Sequence, residues 1–215
     1  TSFAVSDSGR KSIADKLLDR QLIAPGFQSG PIPLVGWPTD LLHGGPSFQL
    51  SLASLDFENL LLKEFEHSGD RRYYRAARDR ILSFADWEAQ QRKPVGFLWN
   101  DHAIAARISV IVRLWRHLRD DADATSAQKE ALIGLAMRSG ELLAKPKLFT
   151  LRTNHGVMQN IALLQIAAAF PLLQKIRDWR NLAVDRLDLQ LGFYVSDEGV
   201  VLEPSAGYHL LGTQL

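Results

Sequence analysis

The chain has 215 residues, 46% hydrophobic and 23% charged, which is enough to bury one sizeable core. Its 25 basic and 24 acidic side chains leave a formal charge of +1, so electrostatics gives no basis for a nucleic-acid or membrane-surface partner. There is no cysteine, which excludes disulfides, thiolate metal sites and a cysteine nucleophile.

Residues 1–45 read as an irregular N-terminal arm: a short amphipathic piece, Ile13 to Leu22, then Pro25, Pro31, Pro33, Pro38 and a Gly44-Gly45-Pro46 break. From Phe48 the apolar positions Leu50, Leu52, Leu55, Leu60, Leu61, Leu62 and Phe65 predict one helix ending at Gly69. A second helix, about Asp70 to Gln91, has the stripe Tyr74, Ala77, Ile81, Phe84 and Ala85, and its dense basic run from Arg71 to Arg80 reads as a solvated face.

Pro94 and Gly96 punctuate the chain before a third helix, Asp101 to Arg119, which is apolar nearly all round through Ile104, Ile108, Ile111, Trp115, Leu118, Ala105 and Val110. A fourth, Ser126 to Ala144, carries one apolar stripe and stops at Pro146. The fifth, Asn154 to Phe170, is again apolar on most faces, and the sixth, about Gln174 to Phe193, is again amphipathic. Tyr194 to Glu203 predicts a short extended excursion, and Ser205 opens a seventh helix. The longest apolar stretch, Ile161 to Leu173, is interrupted by Gln165 and Pro171 and is too short to span a bilayer.

Helices apolar all round belong to an inner layer, and helices with one stripe belong to an outer layer. Short connections make neighbours antiparallel, so all inner helices point the same way. The expected fold is all-α, an incomplete α/α toroid of inner and outer helix pairs over residues 46–215. A closed toroid of five to seven pairs needs on the order of 270 to 380 residues at this repeat length. The chain is therefore expected to be part of a larger protein, with any secretory leader outside the sequence.

Three polar knots head the inner helices: Asn100-Asp101-His102, Arg152-Thr153-Asn154-His155-Gly156 and Gly207-Tyr208-His209. Their histidines, at positions 102, 155 and 209, stand 53 and 54 residues apart. Helix N-termini gathered at one rim favour anions through unpaired amides and positive dipole ends. Trp99, Asn100, His102, Arg107, Asn154, His155, Arg152, Tyr208 and His209 would offer such a rim a flat aromatic, amides, imidazoles, guanidiniums and a phenol, a set suited to an acidic sugar. Taken singly, Asn154 is an ordinary helix N-cap, Tyr208 a packing residue and Trp99 a core anchor. Metal binding lacks a closely spaced ligand set, and no cofactor motif or G-x-S-x-G elbow occurs.

The segments WNDHAIAAR, RTNHGVMQNIALL and DEGVVLEPSAGYH resemble, in order and spacing, the N-terminal helical domain of heparinase II/III and alginate-lyase type polysaccharide lyases. The sharp likeness covers about Gly96 to His209, is weaker from Phe48 and is absent from residues 1–45. The resemblance implies a toroid followed by a β-sandwich domain, β-elimination of a uronic-acid polysaccharide and a periplasmic or secreted location. It further implies Asn154 on the uronate carboxylate, His155 assisting it and Tyr208 as base, acid or both. Trp99, Asn100, His102, Arg107, Arg152, Glu203 and His209 are the expected substrate contacts. Asp197-Glu198-Gly199 departs from the resemblance by one residue, many members having Asp-Gly directly. Two other functions remain open: a glycoside hydrolase using carboxylates drawn from Asp101, Asp197, Glu198 and Glu203, and a module that holds an acidic glycan without cutting it.

Overall fold

The computed structural model describes residues 7–22, 30–31, 45–196 and 198–200. Its helices are α1 (Asp7–Leu18), α2 (Pro46–Ala53), α3 (Asp56–Ser68), α4 (Arg71–Ala89), α5 (Asp101–Leu118), α6 (Ser126–Ala144), α7 (Asn154–Ala169) and α8 (Ile176–Tyr194). A two-residue antiparallel pair, β1 (Gln21–Leu22) with β2 (Gly30–Pro31), follows α1.

The hairpins α3/α4, α5/α6 and α7/α8 stack in sequence, and α3, α5 and α7 form the inner layer against outer α4, α6 and α8. The inner helices run the same way. Glu66 near the end of α3 meets His117 near the end of α5 at 3.2 Å, and Asp101 at the head of α5 meets His155 at the head of α7 at 3.2 Å. The sequence period is visible in space, because Arg113 donates to Asn59 on the preceding inner helix, 54 residues back. The fold is an incomplete α/α toroid around one contiguous core that runs from Ile13 to Ala183.

Local signals explain most boundaries. Asp70 caps α4 by accepting from Arg72 N–H, Asn100 caps α5 by accepting from His102 and Ala103 N–H, and Thr125 with Gln128 forms a capping box on α6. Gly69 closes α3 with a left-handed φ of 74°.

The structure corrects the first segment twice. Residues Asp7–Leu18, expected within an irregular arm, are helical, and Ile13, Ala14 and Leu17 are buried in the core. Tyr73 O–H donates to Asp15 and Arg10 donates to Glu64, which pin α1 onto α3 and α4. The single helix expected from Phe48 to Gly69 is two, because Leu55 adopts φ 61° between α2 and α3. A left-handed leucine costs about 1–2 kcal/mol, and its complete burial, worth about 1.5–3 kcal/mol, offsets that cost. After α8 the chain is not extended throughout, since Ser196 to Val200 closes a tight turn with Gly199 at φ 78°. The seventh helix expected from Ser205 lies outside the described residues.

Outer helices α6 and α8 meet where Gly140 lets the Trp179 ring approach; a Cβ on Gly140 would lie 2.3 Å from it. Gly140→Ala gains about 1 kcal/mol of helix propensity but overpacks this contact against the buried Trp179 ring, which costs about 1–3 kcal/mol and for a rigid indole falls at the upper end. A lower urea midpoint with unchanged slope is expected. A midpoint at or above that of the parent would mean that Trp179 moves aside freely.

Candidate functional site

The heads of α5 and α7 share one end of the array with the tails of α4, α6 and α8. There His102 and His155 pack with ring centroids 4.8 Å apart, and Asp101 bridges from α5 to His155. Asn100 and Asn154 therefore lie on the same rim of the inner layer, as their places at successive helix heads require. The positive dipole ends of α5 and α7 face this region, an arrangement that favours an anion, and Asn100 already satisfies the His102 and Ala103 amides.

Asn154 is nearly buried, 9% exposed, yet it does not cap its helix. Thr153 occupies the N-cap position without a side-chain cap bond, and among the described residues the Asn154 side chain has no hydrogen-bond partner. Gly156 of the same knot is obligatory for packing: a Cβ there would lie 2.2 Å from the Thr150 carbonyl oxygen and 2.5 Å from Gln190 Nε2. Arg152 is exposed, its guanidinium 5.2 Å from the centre of the Phe193 ring.

Trp99 is part of the core margin and of the rim at once. Its Nε1 donates to Glu88 Oε1 at 3.3 Å, while its ring, with Pro94, Phe97, Asn100, Leu142 and Leu148, lines a cleft of about 470 Å³ beside the head of α5. Arg107, expected at the substrate, is not available to one. It is wholly buried, donates from Nη1 to the carbonyls of Leu98 at 2.8 Å and Ala53 at 3.4 Å, and stacks over Phe84. Burial pushes its guanidinium down to about 10, so it stays charged at neutral pH and holds the loop that carries Trp99 and Asn100. Tyr208, His209 and Glu203 lie outside the described residues.

Periodicity did not disclose a second row of polar groups beneath the rim. Gln159, wholly buried, donates to Asp101 Oδ2 at 3.1 Å and to the Leu148 carbonyl at 2.8 Å. Asn160 donates to Gln190 at 2.8 Å, and Gln190 donates to the Leu151 carbonyl at 3.0 Å. The available signal was a Gln-Asn pair inside the most apolar helix, since buried amides need partners.

Burial, and then the neighbouring His155, push His102 down to about 4, so it is neutral at pH 7. Asp101 is already engaged by His155 and Gln159, which leaves little of it for general acid or base work. Among the described residues no cluster of ligating side chains suited to a metal ion occurs, and no helix is long and apolar enough to cross a membrane.

Parallel helix heads around an amide and two imidazoles, on an open stack of inner and outer hairpins, define the chain as a toroid segment with an anion-favouring rim. Residues 26–214 match the family model described as Heparinase II/III N-terminus. The chain belongs to that family, and the likeness begins further upstream than the motifs alone suggested. A search of curated proteins returned no match. Among solved structures, the heparan sulfate lyase HepC from Pedobacter heparinus is similar with a TM-score of 0.76 at 16% identity, covering 97% of this chain and 33% of that one. A mutant of HepC gives 0.77 at 16% identity, covering 99% and 34%. A heparinase III gene product with methylated lysines gives 0.72 at 16% identity, covering 98% and 35%. The chain spans about a third of the length of these proteins.

Two outcomes follow for the rim. The unfolded chain takes up a proton on His102 near the ordinary 6.5, whereas the folded chain resists protonation to about 4. Stability therefore falls as pH drops through that window, and above it His102 contributes no pH dependence. His102→Gln should flatten the acid limb of a plot of stability against pH; an unaltered limb would show that His102 protonates freely in the fold. Arg107→Met keeps the stem but leaves the Leu98 and Ala53 carbonyls without their donor, which should cost about 1–3 kcal/mol in urea unfolding. An unchanged urea midpoint would show that these buried hydrogen bonds add nothing to the fold.

Proposed function

We propose that this chain forms the N-terminal toroid portion of a polysaccharide lyase acting on a uronic-acid-containing polysaccharide of glycosaminoglycan type. The observation that carries the reading is Asn154, a nearly buried amide at an inner helix head with no hydrogen-bond partner among the described residues, beside His155. A nearly buried amide with hydrogen-bonding capacity to spare at a positive helix end is suited to a carboxylate.

In β-elimination a base removes the proton alpha to the uronate carboxylate, the electron pair forms the new carbon-carbon double bond, the glycosidic carbon-oxygen bond breaks, and the departing oxygen gains a proton. Such a carbon acid ionises only if the charge growing on the carboxylate is met by preorganised donors. Asn154 Nδ2 would be one, with His155 beside it. Tyr208 would move the proton, as base, as acid or as both, and needs cationic neighbours to act as a base because a phenol ordinarily titrates near 10. The remaining walls would come from later helices and a β-sandwich domain of the same protein, so the isolated chain is expected to turn over slowly.

Incubation of the full-length protein with a panel of acidic glycans should raise the ultraviolet absorbance of a conjugated unsaturated uronate. Asn154→Ala should weaken binding and slow turnover by about 10²–10³-fold. Tyr208→Phe should slow turnover by about 10²–10⁴-fold with affinity little changed. New reducing ends without the double bond would indicate a hydrolase, and binding with neither product a non-catalytic module. Parallel losses of stability and activity in Tyr208→Phe would make that residue structural.

A further inference from the structure

Asp101 stands in the first polar knot by sequence, but its side chain serves the second. Its Oδ2 lies 3.2 Å from His155 Nδ1 and accepts from Gln159 Nε2 at 3.1 Å. Gln159 is wholly buried and tied also to the Leu148 carbonyl, so the carboxylate is held from below. An ionised carboxylate only accepts hydrogen bonds, which places the shared hydrogen on Nδ1. In a neutral imidazole Nε2 is then unprotonated. Among the described residues it has no partner, and the side chain is 39% exposed. The His102 ring packs against the same imidazole, centroid to centroid 4.8 Å, which restricts its rotation.

Resting on the lyase reading, we propose that Asp101 is the positioning residue that fixes His155 as its Nδ1–H tautomer, with a hydrogen-bond-accepting Nε2 left for substrate. A neutral His155 then cannot donate through Nε2 to a uronate carboxylate. Donation from this pair falls to Asn154, and His155 joins it only when it carries a second proton. The role specifies the assistance to Asn154 that the sequence resemblance implied for His155. It also removes Asp101 from the carboxylates expected to serve a hydrolase.

Nitrogen NMR of the His155 ring in the full chain, recorded at alkaline pH, tests the tautomer directly. The parent should show a protonated Nδ1 and an unprotonated Nε2, and Asp101→Asn should move population toward Nε2–H. Asp101→Glu, which keeps an acceptor, should restore part of the parent pattern. An Nε2–H tautomer in the parent, or ring shifts unchanged in Asp101→Asn, would overturn the proposal. In the full-length protein Asp101→Asn should lower kcat by about 10²–10⁴-fold, the range over which a mis-set histidine acts, with a smaller change in KM. A full-length protein that eliminates nothing sinks the lyase reading instead, and the ring-nitrogen measurement still decides what Asp101 does to His155.

Discussion

Buried carbonyl oxygens at one end of the hairpin stack are the constraint on which this structure depends. Outer helices end there and inner helices begin there, so the last carbonyls of each outer helix and those of the connecting loops lack helical partners. Packing takes some of them out of reach of water, those of Leu98 and Leu143 among them. Long side chains from within the helices reach them instead. Arg138 donates to Ala85 in α4, Arg186 to Leu143 and Ala144 at the tail of α6, Arg107 to Leu98, Gln159 to Leu148 and Gln190 to Leu151. Arg138 and Arg186, which reach the ends of outer helices, also bring positive charge to the negative ends of those dipoles.

This arrangement separates two populations of polar groups that look alike in a sequence. Arg107 and Gln159 are wholly buried and turned inward, Arg107 onto the Leu98 carbonyl and Gln159 onto the Leu148 carbonyl and Asp101, whereas Asn154 and His155 stand at the rim. Glu88 shows the same logic in reverse: nearly buried, it accepts from Arg138 at 2.6 Å and from Trp99 at 3.3 Å, so the loop bearing the candidate site is braced from α4 and α6 together. A rim built this way is preorganised, because the residues that would face an anion stand at helix heads whose flanking loops are already hydrogen-bonded to the core.

The inner and outer layers were legible because the constraint that creates them is written as periodicity. A helix enclosed on most sides must be apolar on most sides, and a helix with a wet face must not. The repeat of 53 and 54 residues between histidines survives in space as the Asp101 to His155 contact, 54 residues apart. The break at Leu55 was not legible, since neither glycine nor proline marks it and burial rather than turn chemistry stabilises it. Nor was the docking of α1, which depends on Tyr73 and Glu64 far along the chain. Arg107 misled for a related reason: its position on α5 gives the face, but only the fold reveals that this face lies under a loop.

The candidate site was legible only in part, and the part that failed is instructive about what motifs contain. Asn100, His102, Asn154 and His155 come together as their helix-head positions require, but their individual duties do not follow from position. Asn100 caps α5, as an asparagine at a helix head ordinarily does, while Asn154, one residue inside α7, leaves the N-cap position to Thr153, whose side chain makes no cap bond, and has no hydrogen-bond partner among the described residues. The two imidazoles diverge as well. His102 is desolvated and neutral, and it supplies shape; His155 is half exposed and oriented by Asp101 from the preceding hairpin. A function read from the rim must therefore assign different work to residues of the same type, and it is the neighbouring helix, not the motif, that decides which residue does which.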